Sequence, residues 1–273
     1  NYKNRNFLID CGEGTQRQIR KAKLNICKIT DILITHMHGD HIFGLPGLLH
    51  TLSKSGYNRE LMIYCPKGAA KKMKQFLDLT GVHGIDYKIK EVRGKFIDNP
   101  YFSISSLALD HDVTCNGYMF EEKDRLRIDK KKLSKYNIKG KDVGKLIRKK
   151  NVKIDGKLIK YKDLTFLEKG RKISFVFDTK YCSNVDKLIK NSDVAVMEGV
   201  FLGNTSIGKE MSKKYKHLTL EESARAGKKG KVKELIISHI SQRYEFKEKF
   251  LLKEVKKIYK NVRIANDLMK VTI

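Results

Sequence analysis

The segment THMHGDH, residues 35 to 41, places His36, His38, Asp40 and His41 within six positions. Imidazole and carboxylate are the donors that Zn²⁺ takes where no thiolate is offered, with Mn²⁺ or iron as substitutes. Side chains two apart in an extended segment point to the same side, so His36 and His38 can chelate one cation; Asp40 and His41, past the turn at Gly39, face a second. The same pattern recurs along the chain. FLID ends at Asp10, ILITH at His36, SLALDH at His111, SFVFD at Asp178 and LIISH at His239, five apolar runs that each end in a residue able to bind a metal or sit beside one. Strand ends on one edge of a sandwich converge in space, which makes distant sequence positions neighbours. A closed zinc clip needs four ligands, whereas His36, His38, Asp40, His41, His111, Asp178 and His239 make seven. Seven suit two cations ~3.5 to 4 Å apart with positions left for water, an arrangement that polarises a phosphoryl or carbonyl oxygen. Asp10 has no ligand beside it and stays outside this set.

Two further residues carry acid–base potential. Glu198 ends the apolar strand VAVM, where burial raises a carboxyl toward acid–base duty; an ion pair with a lysine is the alternative. His217 lies two residues before Thr219-x-x-Glu222, a capping-box pattern, so alone it reads as a loop residue at a helix start.

The elements that must position these groups alternate. Strands are expected at residues 6–10, 31–35, 61–65, 86–92, 101–110 and 118–122, then at 172–178, 193–198 and 234–239, with one or two more before residue 273. Helices are expected at 12–23, from Pro46 to about Ser53, at 66–80, around 185–190, from about Leu220 and from Phe246 to Tyr259, with a Gly-rich loop after Glu198. The last helix carries Phe246, Phe250, Leu251, Val255 and Ile258 at core-packing spacing. This order implies an α/β sandwich in one domain over residues 1–273. Residues from about 122 to 165 break the pattern: sparse in large apolar side chains, they are expected to add little core and to project as an inserted arm.

The formal charge of +27 argues for a polyanionic partner, although 46 of the 58 basic residues are lysine, as a lysine-rich proteome would give. Distribution decides between these. Lys123 to Lys162 holds 17 Lys and Arg against 4 Asp and Glu, too concentrated for uniform bias. Five scattered cysteines without a C-x-x-C pair favour neither disulfides nor a thiolate site. No run is long enough to span a membrane and no signal peptide is apparent, so a cytoplasmic protein is expected. The chain opens in NYKNRN directly before a strand and without Met, so preceding strands are expected to be missing.

The motif THMHGDH, with the later His111, Asp178 and His239, resembles the metallo-β-lactamase superfamily. FLIDCGEGTQRQ, HGDHIFGLPGLL, GYMFEE, SHISQRY and IANDLMKV narrow the resemblance to RNase Z, the endonuclease that trims 3′ trailers from precursor tRNA. The likeness implies a four-layer αββα metallo-β-lactamase sandwich with an inserted basic arm, and two Zn²⁺ per subunit. His36, His38 and His111 would hold one, Asp40, His41 and His239 the other, and Asp178 would bridge, with Asp10 supporting from behind. It implies a metal-bridging hydroxide, oriented by Asp40, that attacks the phosphorus while Glu198 and His217 protonate the leaving 3′ oxygen. The arm resembles the one that grips tRNA; Lys130, Lys131, Lys132, Arg148, Lys149 and Lys150 would neutralise phosphates, and Arg243 would hold the scissile one. One subunit's arm serves its partner's site in that family, so a homodimer is implied. Departures surround the site: Gly199 and Val200 replace the usual Ala-Thr, Phe177 the usual Gly, and Leu218 the usual Ser. The rival readings are another hydrolase of this fold acting on a small ester or phosphodiester, and a non-catalytic RNA-binding module.

Overall fold

The chain was analysed as a computed structural model that describes every residue except Asn137, Lys139 and Asp155. In chain order the strands are β1 (Phe7–Ile9), β2 (Asp31–Leu33), β3 (Leu61–Cys65), β4 (Tyr87–Glu91), β5 (Gly94–Asp98), β6 (Phe102–Leu109), β7 (Cys115–Glu122), β8 (Arg125–Ile128), β9 (Val152–Ile154), β10 (Lys157–Ile159), β11 (Thr165–Glu168), β12 (Lys172–Val176), β13 (Val194–Glu198), β14 (Glu234–Ser238) and β15 (Val262–Ile264). They fall into two compact units. Residues 1–98, 103–120 and 172–273 form the larger; residues 99–102 and 121–171 form the smaller.

The larger unit is the αββα sandwich. One sheet runs β1-β2-β3-β4, parallel throughout. Ile32, Leu33, Leu61 and Ile63 are almost fully buried, as parallel strands covered on both faces require. The helices Leu45–Lys54 and Ala70–Leu79 cover it with Leu45, Leu48, Leu49, Leu52, Met73 and Leu77. The other sheet runs β15-β14-β13-β12-β7-β6-β5 and is parallel from β12 to β15. Helices Ser183–Ile189, Leu220–Lys229 and Glu248–Lys256 seal a second core around Val176, Met197, Leu235 and Leu251. The sheets meet where the Asn116 N–H donates to the Thr35 carbonyl at 2.9 Å and the buried Tyr118 hydroxyl donates to the Ile34 carbonyl at 2.6 Å. Tyr64, Phe96 and Tyr118 pack in series beside that junction.

Four features depart from the sequence expectation. Residues 206–215 form a helix, capped by Thr205, where a Gly-rich loop was expected. Edge strand β5 was not anticipated. Phe246 and Phe250 lie 87% and 48% exposed, because Phe246 turns left-handed ahead of the helix, which buries Leu251 and Val255 instead. The last helix spans only Glu248–Lys256 against the expected Phe246 to Tyr259, and β15 then supplies the expected final strand.

The smaller unit pairs β8 with β11 and β9 with β10, both antiparallel. The sparse apolar residues of this segment do gather a small core of their own, Ile138, Leu146, Val152, Ile159 and Leu164. Among the described residues no helix is long and apolar enough to cross a membrane. Replacing Tyr118 by Phe should lower unfolding stability by about 1–2 kcal/mol through loss of the buried hydrogen bond; an unchanged urea midpoint would show that the inter-sheet junction does not depend on it.

Candidate metal centre

Three of the strand ends reach the site through left-handed backbone. Asp10 after β1, Asp178 after β12 and His239 after β14 have φ of 57°, 48° and 53°. Non-glycine residues pay about 1–3 kcal/mol for such conformations, which persist where the surroundings enforce them. Each turn swings a side chain off its strand toward one point. His36 lies three residues beyond the end of β2, and the one-turn helix Gly39–Ile42 then presents Asp40 and His41.

Side-chain atoms of His36, His38, His111 and Asp178 lie within 4.8 Å of one another, as do those of Asp40, His41 and His239. Asp178 stands between the groups. Its Oδ2 is 3.6 Å from His36 Nε2 and 3.9 Å from His111 Nε2, while its Oδ1 is 3.4 Å from His41 Nε2 and 3.5 Å from His239 Nε2. All seven predicted ligands are therefore brought together. Asp10 lies behind them: its Oδ1 accepts from the Thr35 N–H at 2.7 Å, and its Oδ2 takes the Thr35 hydroxyl at 2.8 Å and His41 Nδ1 at 2.7 Å. His41 is thereby oriented with Nε2 facing the cluster. Similarly His111 Nδ1 lies 3.4 Å from the Lys216 carbonyl, leaving Nε2 toward Asp178. Thr35 and Lys216 escaped the sequence reading; Thr35 sits within the motif, but nothing in the local sequence distinguishes Lys216.

Glu198 is fully buried and accepts from three donors, the Thr179 N–H at 2.6 Å, the Leu218 N–H at 3.2 Å and His217 Nδ1 at 2.7 Å. A carboxylate so committed has little left for a metal, although it also lies within ligand distance of Asp178, His217 and His239. Arg243 is exposed, its guanidinium 5.1 Å from the Phe201 ring, which in turn lies 6.3 Å from the His217 ring. Lys130, Lys131, Lys132, Arg148, Lys149 and Lys150 belong to the smaller unit and are all exposed.

The electrostatics of the cluster are divided. Burial and the neighbouring His41 push His36 down to about 3, so it is a neutral donor. Burial also lowers His111. Burial opposes charge on His41, yet the hydrogen bond to Asp10 and the facing Asp178 outweigh it and push the ring up to about 10. The His239 hydrogen bond holds Asp40 down to about 2, and the imidazoles around Asp178 overcome burial to keep it ionised. Burial pulls His217 down, but Glu198 raises it further.

Whether these groups fit cations can be judged from what they leave unpaired. His41 Nε2, Asp178 Oδ1 and His239 Nδ1 are buried without a hydrogen-bond partner. Two of them, His41 Nε2 and Asp178 Oδ1, face each other across the cluster, and an unpaired buried polar atom costs about 1–3 kcal/mol. A nitrogen and oxygen donor set of this kind fits Zn²⁺ or a similar divalent ion.

Sandwich and cluster together define a metallo-β-lactamase-fold enzyme. The fold is similar to that of the metallo-β-lactamase fold protein YhfI from Bacillus subtilis, with a TM-score of 0.65 at 19% identity over 96% of this chain and 84% of that one. It is also similar to the short form of human tRNase Z, with a TM-score of 0.67 at 24% identity over 100% of this chain and 90% of that one. A family model described as anti-Pycsar protein Apyc1 matches residues 1–135. Ribonuclease Z of Listeria monocytogenes serotype 4b is 39% identical over 281 residues, covering 98% of this chain and 89% of the relative, and that of Nanoarchaeum equitans is 36% identical over 90% of this chain and 77% of the relative. The chain belongs to the ribonuclease Z family and is an endoribonuclease. One departure from the family pattern has a packing reason: a Cβ on Gly199 would sit 2.5 Å from Ile237 Cγ2.

Two predictions follow from the geometry of His41. Its value of about 10 lies above the ordinary 6.5, so at neutral pH its ring holds a proton that a cation must displace. Affinity for Zn²⁺ should therefore climb with pH toward about 10, with at least one proton released per protein at pH 7; calorimetric titration in buffers of different ionisation enthalpy reads this directly, and zero release would contradict it. Asp10→Ala should weaken cation binding by about 10- to 100-fold, because His41 loses its orienting partner; an unchanged affinity would mean that Asp10 serves folding alone.

Proposed function

We propose that the protein is a metal-dependent endoribonuclease that removes the 3′ trailer from precursor tRNA, leaving a 3′-OH on the tRNA and a 5′-phosphate on the trailer. The observation that carries this reading is the near-full-length likeness to ribonuclease Z relatives, joined to a cluster that offers seven donors and a separate Glu198–His217 pair. His36, His38 and His111 would hold one divalent cation, Asp40, His41 and His239 a second, with Asp178 shared. Zn²⁺ is the natural choice for such donors. Such ions would supply Lewis acidity, lowering the pKa of bound water toward neutrality and neutralising charge on the phosphodiester.

The chain's own residues do the rest. Asp40 has a side chain 65% exposed, against 3% for Asp178, so it is the carboxylate that reaches the substrate side. Held ionised by His239, it orients the attacking water and accepts its hydrogen bond. Glu198 raises His217 above its ordinary value, which favours the imidazolium, and Nδ1 is committed to that carboxylate. Nε2–H is thus free to protonate the ribose 3′ oxygen as its bond to phosphorus breaks. Glu198 fixes the ring and balances its charge. Arg243, which stacks over Phe201, would hold a non-bridging phosphate oxygen.

In the smaller unit, Lys130, Lys131, Lys132, Arg148, Lys149 and Lys150 would contact tRNA phosphates, giving affinity without sequence readout, as suits an enzyme for many tRNAs. A cytoplasmic homodimer completes the reading. Incubation of 5′-labelled precursor tRNA should give a metal-dependent product ending one nucleotide past the acceptor stem, abolished by chelator and by His38→Ala. Turnover of a small phosphodiester with precursor tRNA left uncut would overturn the assignment. Replacing Lys130, Lys131 and Lys132 by Ala should raise KM and reduce the salt slope of log KM by up to about 3, near 1 per lost phosphate contact; an unaltered slope would remove the arm from tRNA binding.

A further inference from the structure

Beside the cluster lies an aromatic ring in solvent. Phe43 directly follows the helix Gly39–Ile42 that carries Asp40 and His41, and it is 63% exposed while Ile42 and Leu45 on either side are buried. The ring folds back over the metal-binding segment. A Cβ placed on Gly39 would meet ring carbons of Phe43 at 2.3 Å, so the ring lies against the Cα that separates His38 from Asp40. Phe76 backs it, with ring centroids 6.2 Å apart and a 39° tilt. Burying a phenyl group yields about 1.5–3 kcal/mol, which the fold forgoes here at the mouth of its reactive site.

The occupant follows from the proposed reaction, on which this inference rests. If His217 attends the leaving 3′ oxygen, the last tRNA nucleotide lies on the His217 side of the phosphate. The trailer nucleotide then leaves on the other side, toward Asp40 and the ring beyond it. Trailers vary in sequence and are unpaired where they are cut, and an aromatic face accepts any unpaired base. We propose that Phe43, backed by Phe76, is the platform on which the first trailer base stacks, making Phe43 a substrate-positioning residue for the scissile phosphate.

The test is a double-mutant cycle between ring and base, using the full-length protein loaded with Zn²⁺. Precursor tRNA is prepared intact and with an abasic first trailer nucleotide. Phe43→Ala and Phe43→Leu should each lower kcat/KM on intact substrate by about 5- to 100-fold, the worth of one stacked base, with Zn²⁺ content and melting temperature unchanged. Phe43→Tyr should stay within a few-fold of wild type. The abasic substrate should lose the same factor with wild type and nothing more with Phe43→Ala. Equal cleavage by Phe43→Ala, losses that multiply on the abasic substrate, or a loss traced to dissociation of subunits would each overturn the stacking role while leaving trailer cleavage intact. Failure of the wild type to cut intact precursor tRNA would overturn both.

Discussion

The carboxylate of Asp178 is the constraint around which the larger unit is arranged. It is almost wholly buried, yet five imidazoles, those of His36, His41, His111, His217 and His239, stand within 4 Å of its two oxygens. A charge removed from water needs close compensation, and here it comes from groups delivered by different strands. β2 leads to His36 and, through the following helix, to His41; β6 leads to His111; β14 leads to His239. The two sheets must therefore end at one edge in fixed register. The Asn116–Thr35 and Tyr118–Ile34 hydrogen bonds, close to the ligand-bearing segment, are what lock that register.

The price of this convergence is local. Asp178 itself, His239 aimed at it and Asp10 behind the cluster adopt left-handed backbone, and three of the seven buried polar side-chain atoms without partners, among the described residues, lie in the cluster. Away from the cluster many buried groups are satisfied: Ser174 bonds the Leu188 carbonyl and Ser192, and Thr219 closes a capping box with Glu222. Strain and unpaired donors concentrated at one point are the mark of a site preorganised for a ligand, since ligand contacts are what relieve them.

Much of this was legible in the sequence because strand ends are marked twice, by the apolar run and by the residue that closes it. Asp10, His36, His111, Asp178 and His239 could be named without knowing how the sheets pack, and Thr219-x-x-Glu222 announced its helix. What stayed hidden depends on tertiary contact. The helix Ser206–Tyr215 has Gly208 inside its first turn, which weakens the local helical signal. Its reason appears only in three dimensions, where a Cβ would lie 1.9 Å from the Leu202 carbonyl oxygen. The core of the smaller unit escaped notice because Ile138, Leu146, Val152, Ile159 and Leu164 are diluted among lysines and meet only when two hairpins close. Phe246 and Phe250 misled for the opposite reason: they fit a helical stripe, but the left-handed turn at Phe246 leaves it outside the helix, and Phe250 sits about 100° around the helix from the buried Leu251.

Exposure within the cluster is as informative as its composition. The side chains of His36, His41, His111 and Asp178 are at most 6% exposed, His217 is 14%, His239 is 27%, and Asp40 alone reaches 65%. Access to the centre is thus graded, closed behind Asp178 and open past Asp40. A substrate approaching from the open side meets Asp40 first, and the group that must receive a proton ends near the more sheltered His217. In the proposed reaction that gradient would separate the two halves of a displacement: a wet side that would supply water, and a drier side where His217, held by buried Glu198, would serve the leaving oxygen. In a low-dielectric pocket the Glu198–His217 hydrogen bond is also stronger than it would be in water, and it is this bond that offsets the burial which alone would lower His217.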